Sequence, residues 1–240
     1  MKVIAKYMTS CLGAKQPAII MPDSNHINTV ELKLPDFDRA TDLLVEAFYD
    51  NPAHVYIYMS NESNRLKAIS WAFRRNLNLQ ASVGSSFALV ESDKPPGKRQ
   101  IKQMAFWHPP NSNSISLVSM VREGLLTMPF RFGWRIFQRV IEVTQEFDAI
   151  KDRVINRQPV WYLNNMVVAK ELRGTGVGTR VLKHQLESVV EPSGFPAILM
   201  TQKAGNVMFY QRLGFEVATE SKVGSGEHAF TNWCMIRHAG

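Results

Sequence analysis

Two short stretches hold residue types at spacings that could do chemistry. In the first, Arg173 is followed by Gly174, Gly176 and Gly178, with Thr175, Val177 and Thr179 interleaved. In the second, Asn206, Tyr210, Gly214 and Phe215 fall within one ten-residue run. A glycine turn leading from a strand into a helix leaves backbone N–H groups unbonded at the helix start. Those groups, with the helix dipole, can hold an anion. Glycine suits such a turn because a Cβ would keep the backbone away from the anion's oxygens. Tyr210 adds a phenolic O–H, a donor at neutral pH. The same tyrosine, beside Phe209, also fits a purely packed aromatic core.

The elements that must position these residues are legible around them. The apolar run from Trp161 to Val168, with β-branched Val167 and Val168, predicts the strand entering the turn. Val177, Val181, Leu182, Leu186, Val189 and Val190 recur at helical spacing and predict the helix leaving it. Three anion-holding patterns compete for such a unit. A dinucleotide fingerprint, G-x-G-x-x-G, would place its third glycine at Thr179, and no acidic residue stands where the ribose contact would sit. A Walker A loop requires Gly-Lys-Ser/Thr, which is missing. Arg-x-x-Gly-x-Gly, from Arg173 to Gly178, is the remaining pattern. A turn that merely links a strand to a helix is the alternative to all three.

Elsewhere strands and helices alternate. Strands are predicted at Thr29–Leu34, Ser86–Glu91, Ile101–His108, Ala197–Thr201, Phe215–Ser221 and Phe230–Ile236, with the second and third forming an antiparallel hairpin. The apolar run at 197–201 is expected to be central in its sheet. Helices are predicted from Pro35-Asp36 through Tyr49, from Glu62 to Leu79 and from Gly205-Asn206 to Leu213. Leu66, Ile69, Trp71, Phe73 and Leu77 are available for the buried side of the second. Asp50-Asn51-Pro52 ends the first helix, and residues 53–60 read as irregular. Residues 112–157 form an insert with helices at Ser114–Leu126 and Trp134–Ile150, split by Pro129 and Gly133. The insert mixes aromatics with Arg122, Arg131, Arg135 and Arg139. A membrane-surface helix is one reading; the interspersed Glu123, Glu142, Glu146 and Asp148 favour a lid or wall packed on the core. The whole predicts an α/β fold: a tail at 1–27, then a single domain at 28–240 with a mixed sheet flanked by helices.

Composition sets the outer bounds. A chain of 240 residues, 45% hydrophobic and 20% charged, is long enough and apolar enough for a full core. A net charge of +7 suits an anionic partner. Without a dense Lys/Arg run or an aromatic-and-basic motif, a polyphosphate-bearing cofactor or a solvated basic surface is favoured over nucleic acid. Cys11 and Cys234 lie far apart, with no CxxC and no metal spacing, so free thiols in a reducing, cytoplasmic compartment are expected, and no metal. The N-terminal stretch holds Lys2, Lys6 and Lys15. It has no long apolar core or cleavage site, which favours a cytosolic tail over a targeting leader. No apolar run reaches the length of a membrane span.

Taken together, the two chemical stretches resemble the GNAT acetyltransferase superfamily. Its signature is a strand followed by Arg/Gln-x-x-Gly-x-Gly/Ala, which residues 163–182 match. The run from Asn206 to Phe215 is similar to the family's second element. Trp161, the Phe209-Tyr210 to Phe215 run and Trp233-Cys234-Met235 look most like the puromycin N-acetyltransferase branch. Lys170 departs from the pattern, standing where many members have proline.

The resemblance implies an acetyl-CoA-dependent N-acetyltransferase that acts by direct transfer to a primary amine of a small molecule or peptide. It implies that the amides of Arg173, Gly174, Thr175, Gly176, Val177, Gly178 and Thr179 hold the pyrophosphate, and that Met166, Val167 and Val168 pair with the pantetheine amides as an added strand does. The Val168 N–H would serve as oxyanion donor and Tyr210 as general acid. Asn206 would cap its helix and contact the cofactor. No base is evident. Asn164 and Asn165 stand where related enzymes often place a glutamate and cannot take a proton; Glu46, Asp50, His54, His108 or a water chain are the alternatives. A non-catalytic acyl-CoA-binding module is the rival reading. A homodimer is left open.

Overall fold

The structure is a computed structural model, and it describes residues 29–81, 83–90, 94–112 and 117–239. The expectations for residues 1–27, including Cys11, lie outside the described residues, as does the start of the first helix of the insert.

The strands are β1 (Thr29–Glu31), β2 (Ser85–Val90), β3 (Ile101–His108), β4 (Trp161–Val168), β5 (Ala197–Thr201), β6 (Glu216–Val223) and β7 (Phe230–Arg237). They form one seven-stranded sheet in the order β1-β2-β3-β4-β5-β7-β6. Every neighbouring pair is antiparallel except β4 and β5. The β2–β3 hairpin and the central place of β5 are as the apolar patterns predict. β1 is shorter than expected, because Leu34, Pro35 and Asp36 fold into a 3-10 turn.

Eight helices surround the sheet among the described residues: α1 (Phe37–Phe48), α2 (Pro52–Ile57), α3 (Glu62–Gln80), α4 (Leu117–Arg122), α5 (Met128–Phe132), α6 (Trp134–Ile155), α7 (Val177–Gln185) and α8 (Ala204–Gln211). Alternation along β3 separates two cores. Ala105 and Trp107 pack with Leu182, Leu186 and Leu213 from the α7 and α8 side. Met104 and Phe106 pack with Leu44, Ile69 and Phe73 from α1 and α3. A third cluster joins Tyr56 of α2 and Val143 and Ile150 of α6 to Phe230 and Cys234 of β7. Cys234 is a buried free thiol whose pKa burial pushes up to about 11.

Three local readings are corrected. Residues 53–60 are not irregular: Pro52 opens α2, with the Asn51 side chain accepting from the Ala53 N–H at 2.9 Å. The proline that ends α1 therefore starts the next helix, because its missing N–H costs nothing at the first position. Leu66 faces solvent, while Ile69, Phe73 and Leu77 supply the buried side of α3. In the insert, α4 stops before Gly124, which takes a left-handed φ of 73°, and Pro129 lies at the start of α5. Gly133 (φ 94°) separates α5 from α6, which runs on to Ile155. α6 forms a wall: Tyr56 donates to Glu142 at 3.0 Å, and Glu146 accepts from the Gly224 N–H at 3.3 Å.

The N-terminal end of the domain is pinned by a buried ion pair. Arg99 donates to Asp36 through Nη2 (2.5 Å) and Nε (3.0 Å), and Asp36 also accepts from the N–H groups of Gly97 and Lys33. Burial alone would raise the Asp36 pKa; Arg99 and the two amides outweigh it and hold the carboxyl below its usual range.

Candidate functional site

The site begins with a register fault in β4. Phe106 of β3 is opposite Asn165, and Trp107 is opposite Leu163, so Asn164 is an extra residue on the β4 side. Such a bulge bends the strand and increases its twist. The consequence is seen on the other edge. β4 pairs with β5 only at Trp161, Tyr162 and Leu163. From Asn164 onward, β4 has no pairing to β5, and a gap opens between the two parallel strands.

Register decides which backbone groups face that gap. Ala169 donates to the Lys102 carbonyl at 2.8 Å, and Gln103 lies opposite Val168. In an antiparallel ladder, alternate residues bond to the same neighbour. Val167 therefore spends its backbone groups on β3, while those of Met166 and Val168 point into the gap. The side chains divide the other way. Val167 is buried in the α1–α3 core, and Met166 packs on the α8 side. The expectation that three consecutive residues offer backbone groups thus sharpens to two, Met166 and Val168.

The turn that follows leaves some of its N–H groups open; the Arg173 N–H, expected among the anion holders, is instead spent on the Lys170 carbonyl at 3.2 Å. Gly174 (φ 78°) and Gly176 (φ 80°) both take the left-handed conformation, with nothing within 4 Å of where a Cβ would stand. Their glycine requirement is conformational. Gly178 differs: a Cβ there would lie 3.0 Å from Val168 Cγ2 and 3.4 Å from Met166 Cε, so its requirement is close packing of α7 on β4. α7 has no side-chain cap at Gly176, and the N–H groups of Val177, Gly178 and Thr179 precede the first intrahelical donor, the Arg180 N–H, which bonds the Gly176 carbonyl at 3.0 Å. Thr175 is less free, since its N–H and hydroxyl both donate to the Leu172 carbonyl. Arg173 folds back, its Nε donating to the Val168 carbonyl at 3.1 Å. It thereby ties the turn to the end of β4.

On the far side of the gap stands α8. Tyr210 is buried at its C-terminal end, edge-on to Phe209 (5.0 Å) and Phe215 (5.9 Å), in the cluster that holds Leu163 and Met166. Burial raises its pKa, so the phenol is protonated at neutral pH. No hydrogen-bond partner for its hydroxyl is present among the described residues. Asn206 does not cap α8. Lys203 holds the N-cap position, and Asn206 donates from Nδ2 to Thr201 Oγ1 at 3.0 Å, fastening α8 to the end of β5.

Neither histidine considered as a base is at the gap. His54 is on a helix, enclosed by Phe48, Tyr58 and Phe73, with Nδ1 3.1 Å from the Phe48 carbonyl. Burial pulls its pKa down to about 4, against a smaller opposing effect of that bond. His108 is opposite Tyr162, at the other end of β4. From Tyr162 to Val168 the strand runs roughly 20 Å. Burial, then Lys151, brings His108 to about 4 as well. Asp50 is ion-paired to Lys203 at 2.7 Å, which lowers its pKa despite some burial, and it is exposed.

Sequence reasoning missed two parts of this arrangement. One is the bulge. Its signal is a phase change: Trp161 and Leu163 share a face, the next residue on that face is Met166, and two asparagines stand between. The other is the loop after α1. Asn51 Nδ2 donates to Gln202 Oε1 (3.1 Å), and Gln202 Nε2 donates to Asn232 Oδ1 (2.8 Å). With Asp50–Lys203, this chain ties the α1–α2 loop to the end of β5 beside the gap. No local pattern joins residues so distant in sequence.

The chain is similar to known proteins. Residues 139–217 match the family model for an acetyltransferase (GNAT) domain. A solved acetyltransferase from Corynebacterium glutamicum, described as histone acetyltransferase HPA2 and related acetyltransferase, superposes with a TM-score of 0.59 at 18% identity, over 88% of this chain and 96% of that one. An uncharacterized N-acetyltransferase of Schizosaccharomyces pombe is 24% identical over 75% of this chain and 70% of its own. A probable serine/threonine-protein kinase of Dictyostelium discoideum is 23% identical over 80% of this chain, which spans 21% of the kinase's length. The family model supports a GNAT acetyltransferase domain over residues 139–217, and the structural neighbour shows the fold, a mixed sheet flanked by helices.

Proposed function

We propose that this chain is an acetyl-CoA-dependent N-acetyltransferase that transfers acetyl directly to a primary amine of a small molecule or peptide. The observation that carries the reading is the gap between β4 and β5, with backbone groups of Met166 and Val168 that no second strand pairs along one edge and the uncapped start of α7 at its end. The donor set fits acetyl-CoA. Open N–H groups of Gly174 and of Gly176 to Thr179 suit a pyrophosphate, and alternating strand N–H and C=O groups suit the pantetheine amides. When bound, acetyl-CoA supplies the acyl group as an activated thioester.

The chain's own residues divide the remaining work. The Val168 N–H, turned to the gap, would donate to the acyl oxygen, whose negative charge grows as the amine attacks. Arg173 keeps that end of β4 in place through the Val168 carbonyl. The Tyr210 hydroxyl, protonated and without a hydrogen-bond partner among the described residues, would give its proton to the departing sulfur. Asn164 and Asn165 accept no proton, so the amine's proton leaves by water or with an exposed carboxylate. Trp161, the Phe209-Tyr210 to Phe215 run and Trp233-Cys234-Met235 resemble the puromycin N-acetyltransferase branch, to which we assign the chain within this proposal.

A thiol-release assay with acetyl-CoA and a broad panel of primary amines tests the proposal. Release of CoA with at least one amine, and formation of the acetylated product, is the expected result. Saturable acetyl-CoA binding with no release across the panel would replace it with the rival reading, a non-catalytic acyl-CoA-binding module, which the missing carboxylate on β4 favours.

A further inference from the structure

The insert has a part that the wall against α2 and β7 does not use. α5 is held to the core by Met128, which is buried, and by Phe132, whose ring lies 5.4 Å from that of Trp71 on α3. These two are four residues apart and share one helix face. Phe130, midway between them, is driven to the opposite face and is 91% exposed. Trp134, at the start of α6, is 60% exposed, and Val118 on α4 is 76% exposed. Single exposed apolar residues are ordinary; a group of them in one short helical insert is not.

The charge around this group has one sign. Between residues 117 and 141 there are four arginines (122, 131, 135 and 139) and a single acid, Glu123. Glu123 is turned inward and accepts from Asn78 Nδ2 at 2.7 Å. Arg122, Arg131 and Arg135 are exposed, and none has an ion-pair partner among the described residues. Arg75, stacked 4.2 Å over Trp71, adds a further guanidinium; burial and then the charge of Arg131 lower its pKa.

We propose that the tip made by α4, α5 and the start of α6 docks on an anionic lipid surface. Phe130 and Trp134 enter the boundary between headgroups and acyl chains, and Arg131 and Arg135 meet lipid phosphates. Charge complementarity selects this occupant: exposed guanidiniums without carboxylates repel a basic partner and attract an anionic one. The form of the tip selects lipid over an acidic protein. Its apolar side chains project outward, which suits a deformable surface, whereas a protein partner would require a matching pocket for each. The proposed contact is with the lipid surface; no helix among the described residues is long and apolar enough to cross a membrane.

Co-sedimentation of the full chain with vesicles tests this. Vesicles of phosphatidylcholine containing phosphatidylserine should carry the protein down, vesicles of phosphatidylcholine alone should not, and added salt should release it. Arg131→Gln with Arg135→Gln should weaken partitioning about thirtyfold, at ~1 kcal/mol for each basic residue. Phe130→Ser with Trp134→Ser should remove it at any salt concentration. Lys98→Gln with Lys222→Gln removes the same charge elsewhere and should leave partitioning unchanged. Circular dichroism of each variant shows that it is folded. No sedimentation of the wild-type chain with the anionic vesicles overturns the proposal. So does an equal loss in the lysine control, which would reduce the effect to net charge. Self-association without vesicles that Phe130→Ser abolishes would also overturn it, by assigning the tip to a contact between copies of the chain.

Discussion

From Trp161 to Leu163, β4 has a strand on each side; from Asn165 to Val168 it has β3 alone. The first part behaves as core. Trp161 is buried edge-on to Trp107, and its indole N–H donates to Ser193 Oγ at 2.8 Å. The second part keeps one buried side chain, Val167, and turns the backbone of its neighbours toward open space. One strand therefore has two environments, and the change occurs at one extra residue, Asn164. A binding edge of this kind requires that hydrogen-bonding groups be left unsatisfied in a place solvent or ligand can reach, because a buried orphan is costly. The bulge meets that condition without giving up the sheet that supports it.

The comparison can be broken at either end. The largest effect is expected at the gap: Tyr210→Phe should lower turnover by about 10²–10⁴-fold while acetyl-CoA affinity stays near wild type, as measured by steady-state kinetics and calorimetry. Unchanged turnover would remove Tyr210 from the acid role. At the paired end, Trp161→Ala should cost about 3–5 kcal/mol of stability in urea unfolding, with acetyl-CoA affinity of the folded fraction retained. A parallel loss of affinity would mean that the two parts of β4 are not separable. Gly176→Val forces a β-branched residue into a left-handed conformation, a strain of about 1–3 kcal/mol. Acetyl-CoA binding should weaken by roughly ten- to a hundredfold, while the urea midpoint moves far less than for Trp161→Ala.

The smallest effect concerns pH. His54 and His108 have folded pKa values near 4, below the ordinary 6.5. The unfolded chain therefore takes up protons first as pH falls. Stability from these groups is complete above about pH 6.5 and is lost between there and about pH 4. His108→Phe should reduce the slope of stability against pH in that window by up to ~1.4 kcal/mol per pH unit. No change in slope would show that the paired end of β4 is not where acid acts. Asp36 works at lower pH: its carboxyl is held below the usual range, so its contribution is lost only as pH falls through that lowered value.

Much of this was legible along the chain, for a physical reason. Strands at 101–108, 161–168 and 197–201 and the helix after Gly176 are set by side-chain periodicity, a local property. The left-handed turns at Gly174 and Gly176 follow from residue type, since glycine adopts them without strain. α2 was hidden because one proline can end a helix or begin one, and the difference lies in whether Asn51 finds an N–H to cap. The histidines were ambiguous because burial, which decides their charge, is not encoded by neighbours in sequence.

Sequence alone determined the chemistry that could be present: a glycine turn able to hold an anion, a tyrosine able to give a proton, and asparagines on β4 that cannot take one. It did so because donor and acceptor capacity and backbone freedom are properties of residue type. Tertiary structure decided where that capacity is exposed. The bulge at Asn164, the loss of pairing to β5, the inward turn of Val167 against the outward groups of Met166 and Val168, and the tie from Asn51 through Gln202 to Asn232 all depend on register between distant strands. Register is a relation among segments that no one segment contains.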